Sequence, residues 1–386
     1  MHDYNNEPCF SLHTLEIRLR CNSQDYYLAY ERLRWHCKKN KIFMYDDSSD
    51  YVEDVPIGAL KEEIICRLLE DRGIIIKLVR CKLNDSPIYY GAWMIINPRR
   101  FLGDSTYVGI FDVSRADELL NRLDMALISV GIAHLPISNF TLHRIDLCRN
   151  VFLSSQKMVE NYIDLLKRCF IPNGFMWNEV GGVEYAIRLK DGIKISNNSL
   201  SIVAYNKKAQ MVKQGDYYSI VDIEEATGLL RFEIQLFTGR LNYICRGDKS
   251  IKRLCKFLHI CQTESRKHFE AYIPKVFLMG DYYYFDDAKN IILRSDYYEP
   301  TKEKMLTLLV SVSTHRNLMV ALDDVLQKYK PSNPYNFVRS LIKCFDELYL
   351  NPVTIPRRWN LAGEIFMPGA FKKVMGIDTV FVSTVD

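Results

Sequence analysis

The chain opens on alternation. In "SLHTLEIRLR" the apolar residues Leu15, Ile17 and Leu19 are separated by polar ones, the period-two signature of a half-buried strand. Residues 23–40 carry a helical pattern with Ser23 or Asp25 as cap, and "IGALKEEIICRLLEDRG" predicts a second helix closed by Gly73. "IIIKLVRCK" and "YYGAWMIIN" read as strands on either side of the turn "NDSP". The clearest amphipathic helix is "SRADELLNRLDMALISVG". Ser114 suits its N-cap, Leu119, Leu120, Leu123, Leu127 and Val130 share a face, and Gly131 ends it. "FTLHRIDLCRNVFL" predicts a strand, and residues 155–170 a helix with Met158, Tyr162, Leu165, Leu166 and Cys169 inward.

Strands then dominate: 183–189, a turn at Asp191-Gly192, 199–206, and "GLLRFEIQLF". Beyond Leu241 the pattern turns helical, in "KSIKRLCKFLHI", 311–330 and 335–348, while "MGDYYYFDDAKNIILRSDYYEP" reads as a hairpin or long loop. The order predicts an α+β fold: a mixed or antiparallel sheet with helices packed on one face, followed by a mainly helical C-terminal region. A domain boundary is expected near residue 245, dividing the chain into 1–245 and 246–386.

Composition sets bounds. The 386 residues have room for one large core or two ordinary ones, and two domains are expected. A hydrophobic content of 48% with 25% charged residues belongs to a soluble globular protein. No apolar run approaches the roughly 20 residues needed to span a bilayer. "MHDYNNEPCF" lacks the basic-then-apolar order of a signal peptide, so a cytoplasmic protein with no membrane partner is expected. The 11 cysteines are odd in number and form no C-x-x-C pair, which argues against a disulfide framework and a zinc ribbon. A net charge of +4 is too small to point to nucleic acid, so such a partner must be argued from local patches.

Splitting three strands by parity brings chemistry into view. Arg144, Asp146 and Cys148 lie opposite His143, Ile145 and Leu147; Ser199, Ser201, Val203 and Tyr205 lie opposite Leu200, Ile202 and Ala204; Arg231, Glu233 and Gln235 lie opposite Leu230, Phe232, Ile234 and Leu236. If the three are neighbours in one sheet, Asp146, Glu233 and Tyr205 converge on the face away from the core. Two carboxylates supply oxygen ligands for Mg²⁺ or Mn²⁺, and such an ion stabilises charge on phosphate oxygens. A tyrosine becomes a covalent nucleophile once a cation offsets its pKa of about 10. Lys207, two residues further on, is placed to supply that offset. The same R-x-D and R-x-E spacing also describes ordinary surface ion pairs, worth about 0.2–1 kcal/mol each. His143, on the apolar side by parity, reads as a core histidine rather than a ligand. Spacing alone leaves both readings open.

The wording of these segments goes further. "HRIDLCRN" (143–150), "VAYNK" (203–207) and "GLLRFEIQ" (228–235), preceded by "MIINPRRFLG" (94–103), resemble the replication initiators of filamentous phages and of related rolling-circle phages and plasmids. In those proteins "RID", "AY-x-K" and "G-L-x-RFE" segments follow in this order; the resemblance covers roughly residues 90–245. It implies a metal-dependent, origin-specific DNA endonuclease and strand transferase. Tyr205 would attack one strand, leaving a 5′-phosphotyrosyl link and a free 3′-hydroxyl, and the strand would later be rejoined. It implies Asp146 and Glu233 as ligands of Mg²⁺ or Mn²⁺, with Lys207 as electrostatic help. Gln210, where the family often carries Glu, is implied as a third ligand without the negative charge.

Origin DNA, duplex and single-stranded, is the implied partner, together with a host helicase and polymerase. DNA contacts are expected from Arg144, Arg231 and Lys208, and from Lys249, Lys252, Arg253 and Lys256 at helical spacing. Arg99 and Arg100 of "NPRR" and Arg357 and Arg358 of "IPRRW" are further candidates; a solvated surface explains all these basic groups equally well. The eight histidines contain no His-hydrophobic-His pair, which argues against a histidine-cluster relaxase. Two other functions stay open. One is a non-catalytic DNA-binding replication or copy-control protein, to which Gln210 points. The other is a mobilisation or transposition nuclease with the same nick-and-join step.

Overall fold

The computed structural model describes residues 11–46, 60–82, 86–103, 111–168, 176–177, 191–215, 218–245, 250, 252–278 and 280–359. The fold is α+β. Its strands are β1 (Ser11–Cys21), β2 (Met44–Asp46), β3 (Leu60–Cys66), β4 (Ile74–Lys82), β5 (Tyr89–Ile96), β6 (Thr141–Phe152), β7 (Met176–Trp177), β8 (Gly192–Ser196), β9 (Leu200–Asn206) and β10 (Leu229–Leu236). Among the described residues these form one ten-stranded sheet in the order β2-β3-β4-β5-β1-β6-β10-β9-β8-β7, each strand antiparallel to its neighbours.

The apolar half of each central strand builds the core. Leu15, Ile17, Ile145, Leu147, Ile202, Ala204, Phe232 and Ile234 are buried in one cluster. The helices α1 (Ser23–Lys39), α3 (Ala116–Ser129) and α4 (Gln156–Leu166) contribute to that cluster, and the five-residue α2 (Pro98–Leu102) follows β5. Two short helices behave differently. The pair α5 (Lys207–Lys213) and α6 (Ile220–Glu225) lies over the other face, where Met211 and Ala226 cover Leu229 in a separate small core. Beyond β10 come α7 (Thr238–Cys245), α8 (Leu254–Phe277), α9 (Phe285–Arg294), α10 (Glu299–His315), α11 (Leu318–Tyr329) and α12 (Pro334–Glu347), so the C-terminal region is mainly helical. No helix among the described residues is long and apolar enough to cross a membrane.

Several expectations need correction. Residues 60–66 form strand β3, not a helix: they pair with β4 from Leu60↔Lys82 to Cys66↔Ile76, and Glu63 meets Lys77 across the ladder at 2.5 Å. Helix propensity of tenths of a kcal/mol per residue yields to a ladder with remote partners. The polar, aromatic stretch expected as a hairpin or loop contains α9. The helix expected over 311–330 is two helices, broken at Arg316 (φ +53°), after which the Asn317 side chain caps α11. Caps also shift, to Asn22 for α1 and to Asp112 ahead of α3. Residue 245 is no break in the core, because α8 packs on the sheet and Phe257, Phe269 and Phe277 join the same cluster as Leu147. Cys169 and the expected strand 183–189 lie outside the described residues.

Alternation is interrupted twice by one extra residue. His13 bulges from β1, between Leu12↔Leu147 and Thr14↔Asp146, and the β6 ladder shifts similarly at His143, between Arg144↔Glu16 and Leu142↔Ile17. His143 is therefore not a core residue. It stands 3.8 Å from Glu16, and burial followed by the Arg18 charge lowers its pKa to about 4. Gly228, which opens the "GLLRFE" segment, has φ +78°, and a Cβ there would sit 2.5 Å from the Leu153 carbonyl oxygen. Glycine lets β10 start against the end of β6.

Candidate functional site

Register assembles the site. Gln235 lies opposite Asp146, Arg231 opposite both Asn150 and Tyr205, and Glu233 opposite Cys148 and Val203. Directly opposed residues share a face, so Asp146, Gln235, Glu233, Arg231 and Tyr205 stand together on the side away from the main core. Glu233 is the diagonal neighbour of both Asp146 and Tyr205. All five lie on the face that their parity along the three strands predicts.

Tyr205 Oη donates to Glu233 Oε1 at 2.6 Å. Burial, and next the Glu233 carboxylate, hold the phenol well above its ordinary pKa of 10.0, against the opposing pull of Arg231. The hydroxyl keeps its proton at neutral pH. Asp146, 3% exposed, is gripped by Arg144, with Nε donating to Oδ1 at 2.8 Å and Nη2 to Oδ2 at 2.6 Å. Gln235 Nε2 donates to the same Oδ2 at 3.4 Å. Burial, aided by Glu233 and opposed by Arg144, pushes the Asp146 carboxyl up to about 6. Arg231 is wholly buried, its Nε donating to Asn150 Oδ1 at 2.8 Å.

A turn brings in the lysine. β9 ends at Asn206, whose side chain accepts from the Ala209 N–H at 3.0 Å and so caps α5. The turn directs Lys207 back onto the sheet, where it is 1% exposed and its Nζ donates to Gln210 Oε1 at 2.7 Å. Burial, and next the Arg231 charge, lower its pKa to about 7. Met211 on Leu229 holds α5 down, and Lys208 Nζ donates to Glu224 at 2.9 Å, tying α5 to α6.

Neither a protein-family model nor a curated protein matches the chain.

Several expected DNA contacts lie elsewhere. Arg231, expected to touch DNA, has no exposed surface and stands beside Tyr205 on the neighbouring strand. The basic helix face does not form, because α8 begins only at Leu254. Lys252 and Arg253 instead meet the start of β6, through Leu142 N–H to Lys252 O at 2.8 Å and the Thr141↔Arg253 bridge. Arg253 donates to Ser138 O and Lys256 to Ser250 Oγ, each at 2.8 Å, and Lys249 lies outside the described residues. Arg357 pairs with Asp286.

His13 is the residue that parity missed. Its Nδ1 is 2.9 Å from Thr14 Oγ1 and 3.8 Å from Glu233 Oε1, and burial, then Arg231, hold its pKa well below 6.5. The signal was present: Leu12 and Leu15, both buried, are three residues apart, which strict alternation forbids. Leu142 and Ile145 repeat it around His143.

Among the described residues no three His, Cys, Asp or Glu side chains are grouped as a metal site. The oxygen donors fit a sparser one. Mg²⁺ is commonly held by one or two carboxylates plus substrate phosphates, and Asp146 and Glu233, diagonal neighbours on one face of the sheet, supply two. Arg144 would have to release one Asp146 oxygen. Gln210 is not turned to this pair, since its oxygen accepts from Lys207; the amide beside Asp146 is Gln235.

Proposed function

We propose that this chain is a cytoplasmic DNA nicking and joining enzyme that starts rolling-circle replication at an origin. The observation that carries the reading is the 2.6 Å hydrogen bond from Tyr205 to Glu233, on the face that Asp146 and Lys207 share. Tyr205 Oη attacks a backbone phosphorus as its proton passes to Glu233, the acceptor it already touches. The Oη–P bond forms and the P–O3′ bond breaks; the leaving 3′ oxygen takes a proton from water. One phosphodiester is exchanged for another, so the link stores the energy for rejoining by the reverse step. Lys207 and Arg231 balance charge on the phosphate and the phenolic oxygen. Mg²⁺ or Mn²⁺ held by Asp146 and Glu233 would, when bound, stabilise the phosphate oxygens.

A non-catalytic DNA-binding role is favoured by one observation, the hold of Arg144 on both oxygens of Asp146. A nicking assay separates the two. Supercoiled plasmid carrying the DNA that flanks the gene is incubated with protein and Mg²⁺ or Mn²⁺. Conversion to open circle with protein on a 5′ end is expected; bound but intact supercoils would select the binder.

A further inference from the structure

Beside the Tyr205 site the protein carries a cleft of about 250 Å³. Ile75 and Ile95, partners in register across β4 and β5, supply its apolar surface. His13 and Gln210 line it too, and they are the side that it shares with the Tyr205 site: His13 is 3.8 Å from Glu233, and Gln210 is 2.7 Å from Lys207. Tyr218, Arg99 and Arg100 line it as well, with one carboxylate, Glu70, which pairs with Arg67. Lys207 Nζ lies 5.8 Å from the centre of the Tyr218 ring, which brings the amine of the Tyr205 site close to the cleft wall.

This lining has a chemical logic. Isoleucines and a phenol ring offer faces to a planar base, and a guanidinium offers charge to a phosphate. The volume falls below the roughly 300–1,000 Å³ of sites for drug-sized ligands. It suits one base with its sugar and excludes a paired duplex, whose bases reach such a cleft only when unpaired. We propose that the cleft seats one unpaired nucleotide of single-stranded DNA next to the phosphate that Tyr205 attacks, its base on Ile75, Ile95 and Tyr218 and its backbone at Arg99. The placement rests on the nicking reading, while its test is binding alone.

The probe is fluorescent oligothymidylate of about ten nucleotides, within the span bound by single-strand binding folds, followed by anisotropy without divalent metal. Tyr218→Ala should weaken binding roughly 5- to 150-fold, the range for losing one stacked base. Arg99→Ala should lower the log–log salt slope by about 0.7, one phosphate's share on a single strand. Val212→Ala, at an exposed position of α5, should leave affinity unchanged. Thymidine–adenine duplex should compete poorly. A 5-iodouracil base in the probe, photocrosslinked and mapped by mass spectrometry, should label Tyr218 or His13. Wild-type affinity in Tyr218→Ala, equal competition by duplex, or crosslinks confined to other residues would each overturn the assignment. Binding of this kind without nicking under any metal would end the nicking reading and leave the cleft standing; nicking with unaltered Tyr218→Ala binding would end the cleft alone.

Discussion

Tyr205→Phe removes one oxygen and leaves the ring. That oxygen donates at 2.6 Å to a carboxylate that is 6% exposed. A hydrogen bond to a charged group is worth about 1.5–3 kcal/mol, so the variant should be less stable by that amount. The aromatic ring and its packing stay, so the loss should not exceed this range. Urea unfolding should show a lower midpoint with an unchanged slope. Nicking and the covalent adduct should both vanish, because a phosphotyrosine cannot form without Oη. Affinity for single-stranded DNA should hold. The adduct is trapped on wild-type protein and located by mass spectrometry. Tyr217 and Tyr218 are the nearest rivals in the chain and serve as internal controls. Nicking by Tyr205→Phe, or an adduct on Tyr217 or Tyr218, would refute Tyr205 as nucleophile. An unchanged urea midpoint would refute the bond to Glu233.

Three other perturbations test the surroundings. Lys207 has its pKa lowered from 10.5 to about 7, so between those values the unfolded chain binds more protons than the folded one. Stability should therefore rise with pH across this window and fall as pH drops; Lys207→Met should lose that rise, and a wild-type minus variant difference that is flat in pH would contradict it. Gln210→Glu places a carboxylate against Lys207 Nζ, which should add about 1 kcal/mol and leave the metal needed for half-maximal nicking unchanged; a clear drop in that requirement would put position 210 in the metal shell instead. Gly228→Ala forces a Cβ to 2.5 Å from the Leu153 carbonyl at φ +78°, and should cost about 1–3 kcal/mol in urea unfolding; a smaller change would show that the start of β10 is free to move.

Much of the candidate site was legible because side-chain direction in a strand depends only on parity. Asp146, Glu233, Gln235, Arg231 and Tyr205 were placed on one face by counting in twos, and the ladders β6-β10-β9 put those faces side by side. The amphipathic helix α3 was equally visible, since Leu119, Leu123 and Leu127 recur at the helical period. Counting failed where one residue was added: His13 and His143 leave the alternation at bulges that the spacing of their apolar neighbours betrays only in hindsight.

Partners remote in the chain decided the rest. β3 is a strand because β2 and β4 flank it, whatever its Glu, Lys and Leu content favours. Arg231 reads as a surface cation in a solvent-facing strand, yet Tyr205 and Asn150 on neighbouring strands enclose it. Gln210 follows Tyr205 by five residues, but the turn at Asn206 starts a helix that aims its amide at Lys207 and leaves Gln235 to meet Asp146. Local periodicity determines which way a side chain points from its own element. What it meets there depends on elements many residues away, and only their packing in three dimensions sets that.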